Sequence, residues 1–284
     1  MKISEVLSQL QFQCQGDLPE AEVQIILAHV LGRPRTWLLA HMETSIQTDQ
    51  LRQAEVDLAR LRSGIPLPYI LGHWEFYGMD FEVTKDVLIP RPETELLVEK
   101  AIGWLNASPL IRTVADIGTG SGVISVTLAA HIPDLQILAT DISLEALKVA
   151  RHNACKFSVQ NHIDFLQCDL LPHHIDPLPT EMHFDLICGN LPYIPTEKLH
   201  ALPIFGREPS VAVDGGPDGL ELYRRLFELT PAWLAPRGLM LFEIEATLGP
   251  QALSLAFDAF SEDVTLHLHQ DLAGNDRLLE IQLR

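Results

Sequence analysis

Residues 190–193, Asn-Leu-Pro-Tyr, combine groups that can hold a planar nitrogen group in a fixed orientation. An amide nitrogen is a poor nucleophile because its lone pair is delocalised into the carbonyl group. A site that makes it react must therefore grip the NH2 group and aim its nitrogen. The side-chain oxygen of Asn190 is one acceptor, and the backbone carbonyl of Leu191, held by the rigid Pro192, is a second. Tyr193 can stack on the flat amide, although the four residues alone also fit an ordinary turn after a strand.

A glycine-rich segment at residues 116–122, Asp-Ile-Gly-Thr-Gly-Ser-Gly, lies where a predicted strand ends and a predicted helix begins. Glycine lets a chain turn tightly and lets a ligand approach the backbone. In open α/β sheets the first such turn binds nucleotide-like cofactors. The candidate cofactor-binding residues in this segment are Asp116, Gly118, Thr119, Gly120, Ser121 and Gly122. Taken alone, the segment also fits a tight turn that binds nothing.

Acidic residues after the next two predicted strands indicate which cofactor the glycine turn would bind. Asp141 ends the next strand, where a carboxylate can accept hydrogen bonds from ribose hydroxyls. A pyrophosphate fingerprint reads G-x-G-x-x-G, whereas Asp116 opens this turn; it would repel a pyrophosphate and attract the cationic groups of S-adenosylmethionine. Asp169 can bind the adenine amino group, with Leu170 packed on the ring, although Asp169 alone also fits a capping or solvent-exposed residue.

The chain contains further distinctive motifs outside these turns. They are Gly-x-Pro-x-x-Tyr-x-x-Gly at residues 64–72, Ile-Pro-Arg-Pro-Glu-Thr-Glu at 89–95, Glu-Pro-x-x-Ala with Gly-Gly-x-x-Gly-Leu between 208 and 220, and Gly-Asn-Asp-Arg at 274–277. Together the motifs resemble the class I S-adenosylmethionine-dependent methyltransferases, and among them the release-factor glutamine methyltransferase family (HemK/PrmC type). That family has Asn-Pro-Pro-Tyr, whereas this chain has Asn-Leu-Pro-Tyr. Leucine at position 191 in place of proline adds a backbone N–H and leaves the φ angle of that residue less restricted.

The resemblance implies an enzyme that transfers a methyl group from S-adenosylmethionine to N5 of the glutamine in the GGQ loop of peptide chain release factors 1 and 2. It implies that residues 190–193 act on the amide and that Asn190 also contacts the cofactor. A His173-His174 pair near Asp176 reads as a solvated loop, since adjacent residues rarely ligate one ion, and no metal site is expected. Glu243 and Glu245 could form a carboxylate pair on one strand face. They could also lie where that strand emerges into solvent, or have a structural role near the site.

The pattern along the chain predicts an α/β protein with a doubly wound, Rossmann-like methyltransferase sheet and an antiparallel C-terminal hairpin. Residues 1–63 read as a helical domain, residues 64–90 as a linker with a short hairpin, and residues 91–284 as the catalytic domain. The resemblance implies that residues 1–63 are a substrate-recognition domain and that residues 91–284 are the methyltransferase domain. Within that last domain, strands are predicted at residues 113–117, 136–140, 163–167, 184–188, 239–244, 264–269 and 277–283.

Composition narrows the possible partners. The net charge of -18 and the absence of any dense basic patch argue against binding phosphate backbones. This counts against the first alternative, a nucleic-acid amine (adenine N6) methyltransferase that uses a similar turn on a flipped base. A second alternative is a module that binds S-adenosylmethionine without catalysis. The start lacks a signal-peptide pattern and no apolar run spans a membrane, so a cytoplasmic protein without membrane contacts is expected. A monomer without direct nucleic-acid contacts is also expected.

Overall fold

The computed structural model describes residues 1–14, 18–107, 112–172 and 183–284. The His173-His174 pair and Asp176 therefore lie outside the described residues. The chain divides into two compact units, Met1–His73 and Trp74–Arg284. No helix in the described ranges is long and apolar enough to cross a membrane.

The first unit is helical. Its helices are α1 (Ile3–Gln13), α2 (Glu20–Val30), α3 (Arg35–Ala40), α4 (Thr48–Arg62) and α5 (Leu67–Leu71). Apolar side chains spaced three and four apart put one face of each longer helix into a shared core that includes Leu10 and Leu27. Residues 64–90, expected as a linker with a hairpin, hold α5 and then the paired strands β1 (His73–Phe76) and β2 (Met79–Glu82).

The second unit is built on a seven-stranded sheet, as far as the described residues show, with strand order β5-β4-β3-β6-β7-β9-β8. Its strands are β3 (Thr113–Ile117), β4 (Gln136–Asp141), β5 (Ile163–Gln167), β6 (Phe184–Gly189), β7 (Leu234–Glu243), β8 (Val264–Gln270) and β9 (Asp276–Leu283). Its helices are α6 (Thr94–Ala107), α7 (Val123–His131), α8 (Leu144–Lys156), α9 (Thr196–Leu199), α10 (Glu221–Leu229) and α11 (Gly249–Phe260).

Strands β3 to β7 pair in parallel, and β9 pairs antiparallel with both β7 and β8. The predicted doubly wound sheet with an antiparallel end is confirmed. Successive residues of β3 enter different cores: Val114 packs with α6 and α7 on one face, and Ala115 packs with α10 and α11 on the other. This alternation follows from the two-residue period of a strand and explains why β3 is apolar throughout most of its length.

One strand boundary differs from the prediction by more than one residue. Strand β7 begins at Leu234, not at residue 239, and its pairing with β6 shifts register between Phe184 and Leu186. The segment that was missed contains Pro236, Gly238 and Arg237, whose φ is +63°. A proline and a glycine read as a break in sequence, whereas the irregular pairing accommodates them here.

Topology brings the two chemically distinctive turns to the same place. Strand β3 lies between β4 and β6, so the strand order reverses at β3. Asp116 near the end of β3 pairs in register with Cys188 near the end of β6. Because parallel strands end at the same edge, the glycine turn after β3 and the turn at residues 190–193 after β6 are neighbours. Ligands of open α/β sheets bind at this kind of switch point.

Candidate active site

The glycine turn connects β3 to α7 through three residues with left-handed backbone. The φ angles of Gly118, Gly120 and Gly122 are +69°, +57° and +83°. Residues with a Cβ rarely adopt such angles, which explains why glycine recurs at every second position. A Cβ at Gly122 would also lie 3.2 Å from the Ala150 side chain of α8, so the turn packs tightly at its end.

Asp116 is fully buried and holds the turn from within. Its Oδ2 accepts hydrogen bonds from Thr119 Oγ1 at 2.6 Å and from Ser125 N at 3.1 Å. Burial raises the pKa of Asp116 to about 6, and the hydrogen bonds from Thr119 and Ser125 oppose that rise. The other oxygen, Oδ1, is buried without a hydrogen-bond partner among the described residues. The structure thus gives Asp116 a role in shaping the turn, and its predicted contact with a cofactor stays a prediction.

Asp141, at the end of β4, contacts the glycine turn directly. Its Oδ2 accepts a hydrogen bond from Gly120 N at 2.9 Å, and its Oδ1 accepts one from Ser143 N at 2.8 Å. Burial raises the pKa of Asp141, and the bonds from the Ser143 and Gly120 amides partly offset that effect. The turn after β3 and the turn after β4 are therefore both hydrogen-bonded to the Asp141 carboxylate at the edge of the sheet.

A cavity of about 390 Å³ opens at this edge of the second unit, within the usual size range of small-molecule sites. Its lining includes the predicted residues Gly118, Thr119, Gly120, Ser121, Asp141, Asp169, Leu170, Asn190, Leu191 and Pro192. Three predicted residues, Asp116, Gly122 and Tyr193, are not among the described residues that line it. Most of the predicted residues therefore line one cavity, although they form only about a third of its described wall.

Asp169 and Leu170 follow β5 and form another part of the wall. Asp169 Oδ2 lies 2.5 Å from Arg225 Nη2 of α10, a partner that the sequence did not suggest. Leu170 has φ of +61°, which costs a branched residue roughly 1–2 kcal/mol. Its carbonyl accepts a hydrogen bond from Thr140 Oγ1 at 2.8 Å, which holds this strained backbone in place. Leu170 is buried, so its side chain is fixed against the cavity.

Asn190 belongs to a hydrogen-bond network that the sequence did not reveal. Its Nδ2 donates to Thr94 Oγ1 at 3.0 Å, and Thr94 Oγ1 donates to Glu243 Oε2 at 2.6 Å. The hydroxyl of Tyr193 donates to Glu243 Oε1 at 3.0 Å. Burial raises the pKa of Tyr193 above its ordinary value, and the neighbouring Glu243 raises it further, so the phenol remains protonated. The ring of Tyr193 is therefore fixed by its hydroxyl, and its predicted stacking on an amide stays a prediction.

Leu191 is a core residue as well as part of the turn. Its side chain is 2% exposed and packs with the core cluster on the α10 and α11 face. Its carbonyl lies 3.4 Å from the hydroxyl of Tyr223, which also donates to the carbonyl of Glu243 at 2.5 Å. A hydroxyl has one proton, and the shorter contact takes it. The Leu191 carbonyl is therefore only weakly engaged by Tyr223.

The glycine motif at residues 215–219 contacts the backbone of Tyr193. A Cβ at Gly215 would lie 2.7 Å from Tyr193 Cα, and one at Gly219 would lie 2.3 Å from the Tyr193 carbonyl oxygen. Neither position can accept a side chain without displacing the turn. These glycines thus fix the path of the chain just after Asn190.

The Pro-Arg-Pro segment before α6 is hydrogen-bonded to the Glu-Pro segment at residues 208–209. Glu208 Oε2 accepts a hydrogen bond from Ile89 N at 2.9 Å, and Glu208 Oε1 accepts one from Arg91 Nη2 at 2.5 Å. Arg91 and Thr94 both line the cavity. These two hydrogen bonds to Glu208 therefore help to place the start of α6, including Thr94, beside Asn190.

Glu243 and Glu245 do not form a carboxylate pair on one strand face, and of the readings left open, a structural role near the site is the one that fits Glu243. Strand β7 ends at Glu243, whose side chain points into the protein and is 2% exposed. Glu245 instead accepts a hydrogen bond from Thr247 N at 2.8 Å and caps a short 3₁₀ helix. No group of side chains suited to hold a metal ion occurs within residues 1–14, 18–107, 112–172 and 183–284.

Comparisons with known proteins identify the family of this chain. A family model described as the PrmC N-terminal domain matches residues 5–72, and one described as the methyltransferase small domain matches residues 93–202. A release factor glutamine methyltransferase from Moorella thermoacetica is 41% identical over 261 residues, which cover 91% of this chain and 88% of that protein. The chain belongs to the release factor glutamine methyltransferase family. A second family member, from Bordetella pertussis, is 38% identical over 262 residues, covering 92% and 94% of the two chains.

Solved structures extend the likeness to more distant methyltransferases. One from Pyrococcus furiosus has a TM-score of 0.50 at 16% identity and covers 82% of this chain and 97% of its own. The 16S rRNA N2 G1207 methyltransferase of T. thermophilus, solved with AdoMet and guanosine, has a TM-score of 0.52 at 18% identity, covering 75% and 50%. At these identities the likeness concerns the fold alone. This member of the release factor glutamine methyltransferase family thus has a methyltransferase fold.

Proposed function

We propose that this chain transfers a methyl group from S-adenosylmethionine to the side-chain N5 of the glutamine in the GGQ loop of peptide chain release factors 1 and 2. Family membership supports the reaction class. The observation that carries the proposal furthest is the position of Asn190, whose amide lines the cavity while its Nδ2 is bound to Thr94. Its oxygen is then available as an acceptor for a substrate NH2 group.

The residues at the acceptor end can position a glutamine amide without a strong base. Asn190 Oδ1 and the Leu191 carbonyl are two acceptors one residue apart, and an NH2 group has two hydrogens to donate. Holding both hydrogens fixes the amide plane and directs the nitrogen lone pair along one line. Pro192 lacks an N–H and has a restricted φ, so the Leu191 carbonyl is held in one orientation.

The opposite end of the cavity fits S-adenosylmethionine, which would supply an electrophilic methyl group. Asp141 offers a carboxylate of the kind that accepts hydrogen bonds from ribose hydroxyls. Leu170 presents an apolar side chain for the adenine ring, and Asp169 lies beside it. Gly118 and Gly120 have left-handed backbone and no side chains, so a ligand can approach the turn closely at these two positions. We infer that these residues bind the cofactor.

A nucleic-acid substrate receives no support from the site. The cations that line the described cavity, Arg91 and Arg225, are each bound to a carboxylate, Glu208 and Asp169. Paired arginines do not form the basic surface that a phosphate backbone requires. The net charge of -18 also disfavours binding to the negatively charged phosphate backbone.

The proposal is tested by incubating the full chain with S-adenosylmethionine and purified release factors, followed by peptide mass spectrometry. We expect a gain of one methyl group on the GGQ glutamine. A release factor with that glutamine replaced by asparagine is the control and should gain none. Methylation of another residue, or of added RNA instead of protein, would contradict the proposed substrate.

We also propose that the helical domain, expected at residues 1–63, recognises the release factor. The second unit, Trp74–Arg284, contains the whole described cavity and the β1–β2 hairpin except His73. A chain beginning at Trp74 should therefore bind S-adenosylmethionine in calorimetry yet methylate release factors more slowly than the full chain. Equal rates would remove the recognition role. We further infer that the enzyme acts as a cytoplasmic monomer.

A further inference from the structure

One buried carboxylate connects the elements around the acceptor turn. Glu243, at the end of β7, is 2% exposed. It accepts hydrogen bonds from Thr94 at the start of α6 and from Tyr193 in the turn after β6. Neither the glycine motifs nor the Asn-Leu-Pro-Tyr turn contains this residue, and it does not line the described cavity.

The protons in this network can be counted. The hydroxyls of Thr94 and Tyr193 each have one proton, and an ionised carboxylate can only accept. When Glu243 is ionised, Thr94 gives its proton to Glu243 Oε2 and has only lone pairs left for Asn190. Asn190 must then present Nδ2 to Thr94, as the 3.0 Å contact shows. Its Oδ1 is consequently the edge of the amide that is free to bind a substrate.

We propose that Glu243 is a positioning residue for methyl transfer, because through Thr94 it determines which edge of the Asn190 amide faces the cavity. The inference rests on the proposed function, since the orientation matters only if Asn190 accepts a hydrogen from a substrate NH2 group. Glu243 touches neither substrate nor cofactor in this scheme. It acts by excluding the reversed orientation of the Asn190 amide, in which Asn190 Nδ2 would face the NH2 group of the substrate.

The network also reverses when the carboxylate gains a proton. Protonated on Oε2, Glu243 donates to Thr94 Oγ1, which frees the Thr94 proton to turn towards Asn190. Asn190 can then present Oδ1 to Thr94 and Nδ2 to the cavity. Ionised Glu243, by taking the Thr94 proton, is what enforces the productive arrangement.

The surroundings of Glu243 place this change near neutral pH. Burial raises the pKa of Glu243 to about 7, while hydrogen bonds from Thr94 and Tyr193 lower it. The charge of Glu93 raises that pKa and the charge of Arg277 on β9 lowers it. From α10, Tyr223 contributes a neutral hydroxyl that donates to the Glu243 carbonyl. Turnover should accordingly fall as pH drops below about 7.

The first test removes the link between Glu243 and Asn190. Thr94→Val keeps the side-chain shape and deletes the hydroxyl, whereas Thr94→Ser keeps the hydroxyl. We expect Thr94→Val to lower kcat on release factor by about tenfold or more, with KM values nearly unchanged, and Thr94→Ser to retain most activity. The matched control is Thr127→Val in α7, because Thr127 is also buried and its hydroxyl has no partner among the described residues.

The second test follows the pH profile of kcat between about pH 5.5 and 8.5. The native enzyme should lose activity on the acid side, and Glu243→Gln should have lower kcat without that acid limb. Glu280→Gln is the matched control, since Glu280 is bound to His269 on the neighbouring strands β9 and β8; it should keep the native profile.

The possible outcomes distinguish a failure of the inferred role of Glu243 from a failure of the proposed function. If the native enzyme does not methylate the release-factor glutamine, the proposed function fails. If it does, native kcat in Thr94→Val, failure of Thr94→Ser to restore activity, or a native profile without an acid limb overturns the role of Glu243. The last measurement needs no variant, so it decides even if the substituted chains fold poorly.

Discussion

The side chain of Leu191 packs against Gly118 so closely that a Cβ atom at Gly118 would lie 3.2 Å from Leu191 Cδ2. Gly118 belongs to the turn after β3, and Leu191 to the turn after β6. The proposed cofactor turn and the proposed acceptor turn therefore contact each other. A substitution that changes the conformation of one turn should therefore also change that of the other.

Replacing Gly118 by valine should abolish cofactor binding. Valine at φ of +69° is strained, and its branched side chain meets Leu191. A ligand present at one hundred times its Kd stabilises the native state by about 2.7 kcal/mol, so S-adenosylmethionine should raise the Tm of the native chain and not of Gly118→Val. Gly32→Val is the control, because Gly32 has a similar φ of +60° and nothing within 4 Å of its Cβ position. Stabilisation by NAD alone would contradict the cofactor assignment.

Replacing Leu191 by proline should separate stability from turnover. Proline restores the family pattern and restricts φ, so activity should hold or rise. It also removes part of a side chain that is 2% exposed, and we expect a loss of about 1–3 kcal/mol in the free energy of unfolding. Leu191→Ala, which loses the packing without gaining the ring, should be destabilised and gain no activity. An inactive but folded proline variant would mean that the Leu191 N–H has a role of its own.

Replacing Asn190 by alanine should lower kcat by a factor on the order of 100 or more, because one positioned acceptor is lost. The affinity for S-adenosylmethionine, measured by calorimetry, should change much less. Asn190→Asp is the companion variant: it keeps an acceptor but cannot donate to Thr94, so it should also be slow. Unchanged turnover in Asn190→Ala would end the amide-positioning mechanism.

Tyr193 offers two separable contributions. Tyr193→Phe keeps the ring and removes a hydrogen bond that favours ionised Glu243. The acid limb of the kcat profile should therefore move to higher pH. Tyr193→Ala should in addition raise KM for the release factor if the ring stacks on the amide. Identical kinetics for the two variants would argue against stacking.

Glu243→Gln should stabilise the protein in alkaline solution. The pKa of Glu243 rises from the ordinary 4.5 to about 7 in the folded state. A group with a raised folded pKa contributes stability below its unfolded pKa and loses it as pH rises through the folded one. The advantage of the glutamine variant in free energy of unfolding should therefore grow between pH 5 and pH 8, towards an upper value of roughly 3 kcal/mol. It is followed as the difference in Tm between the two proteins at each pH. An advantage that is constant with pH would show that Glu243 is not desolvated.

Local patterns were sufficient for most of the fold. Strand β3 was predicted at its observed bounds because a short apolar run ends in glycine there. The Asp141 contacts were also foreseeable, since an acid at a strand end faces the turn beside it. Each of these inferences depends on residues close together in the chain or on a recurrent topology.

The network behind Asn190 could not be predicted in the same way. Thr94 and Glu243 are 149 positions apart in sequence. A carboxylate at the end of a strand reads as solvent-exposed, because the partners that make its burial tolerable come from α6 and from the turn after β6. The same difficulty concerns Asp169, whose partner Arg225 belongs to α10. Only the assembled tertiary structure identifies these pairs.

The strand order at the antiparallel end of the sheet constrains how the protein folds. Strand β9 lies between β7 and β8 although it follows β8 in the chain, so β8 reaches the sheet only as the partner of β9. Because a hairpin closes a short loop, β8 and β9 can pair first and then add to β7 as one piece. That docking brings the carbonyl of Arg277 to Ile244 N, next to Glu243. Completion of the acceptor site therefore depends on this hairpin docking on β7, whereas the cofactor turn after β3 depends on β4 and β6.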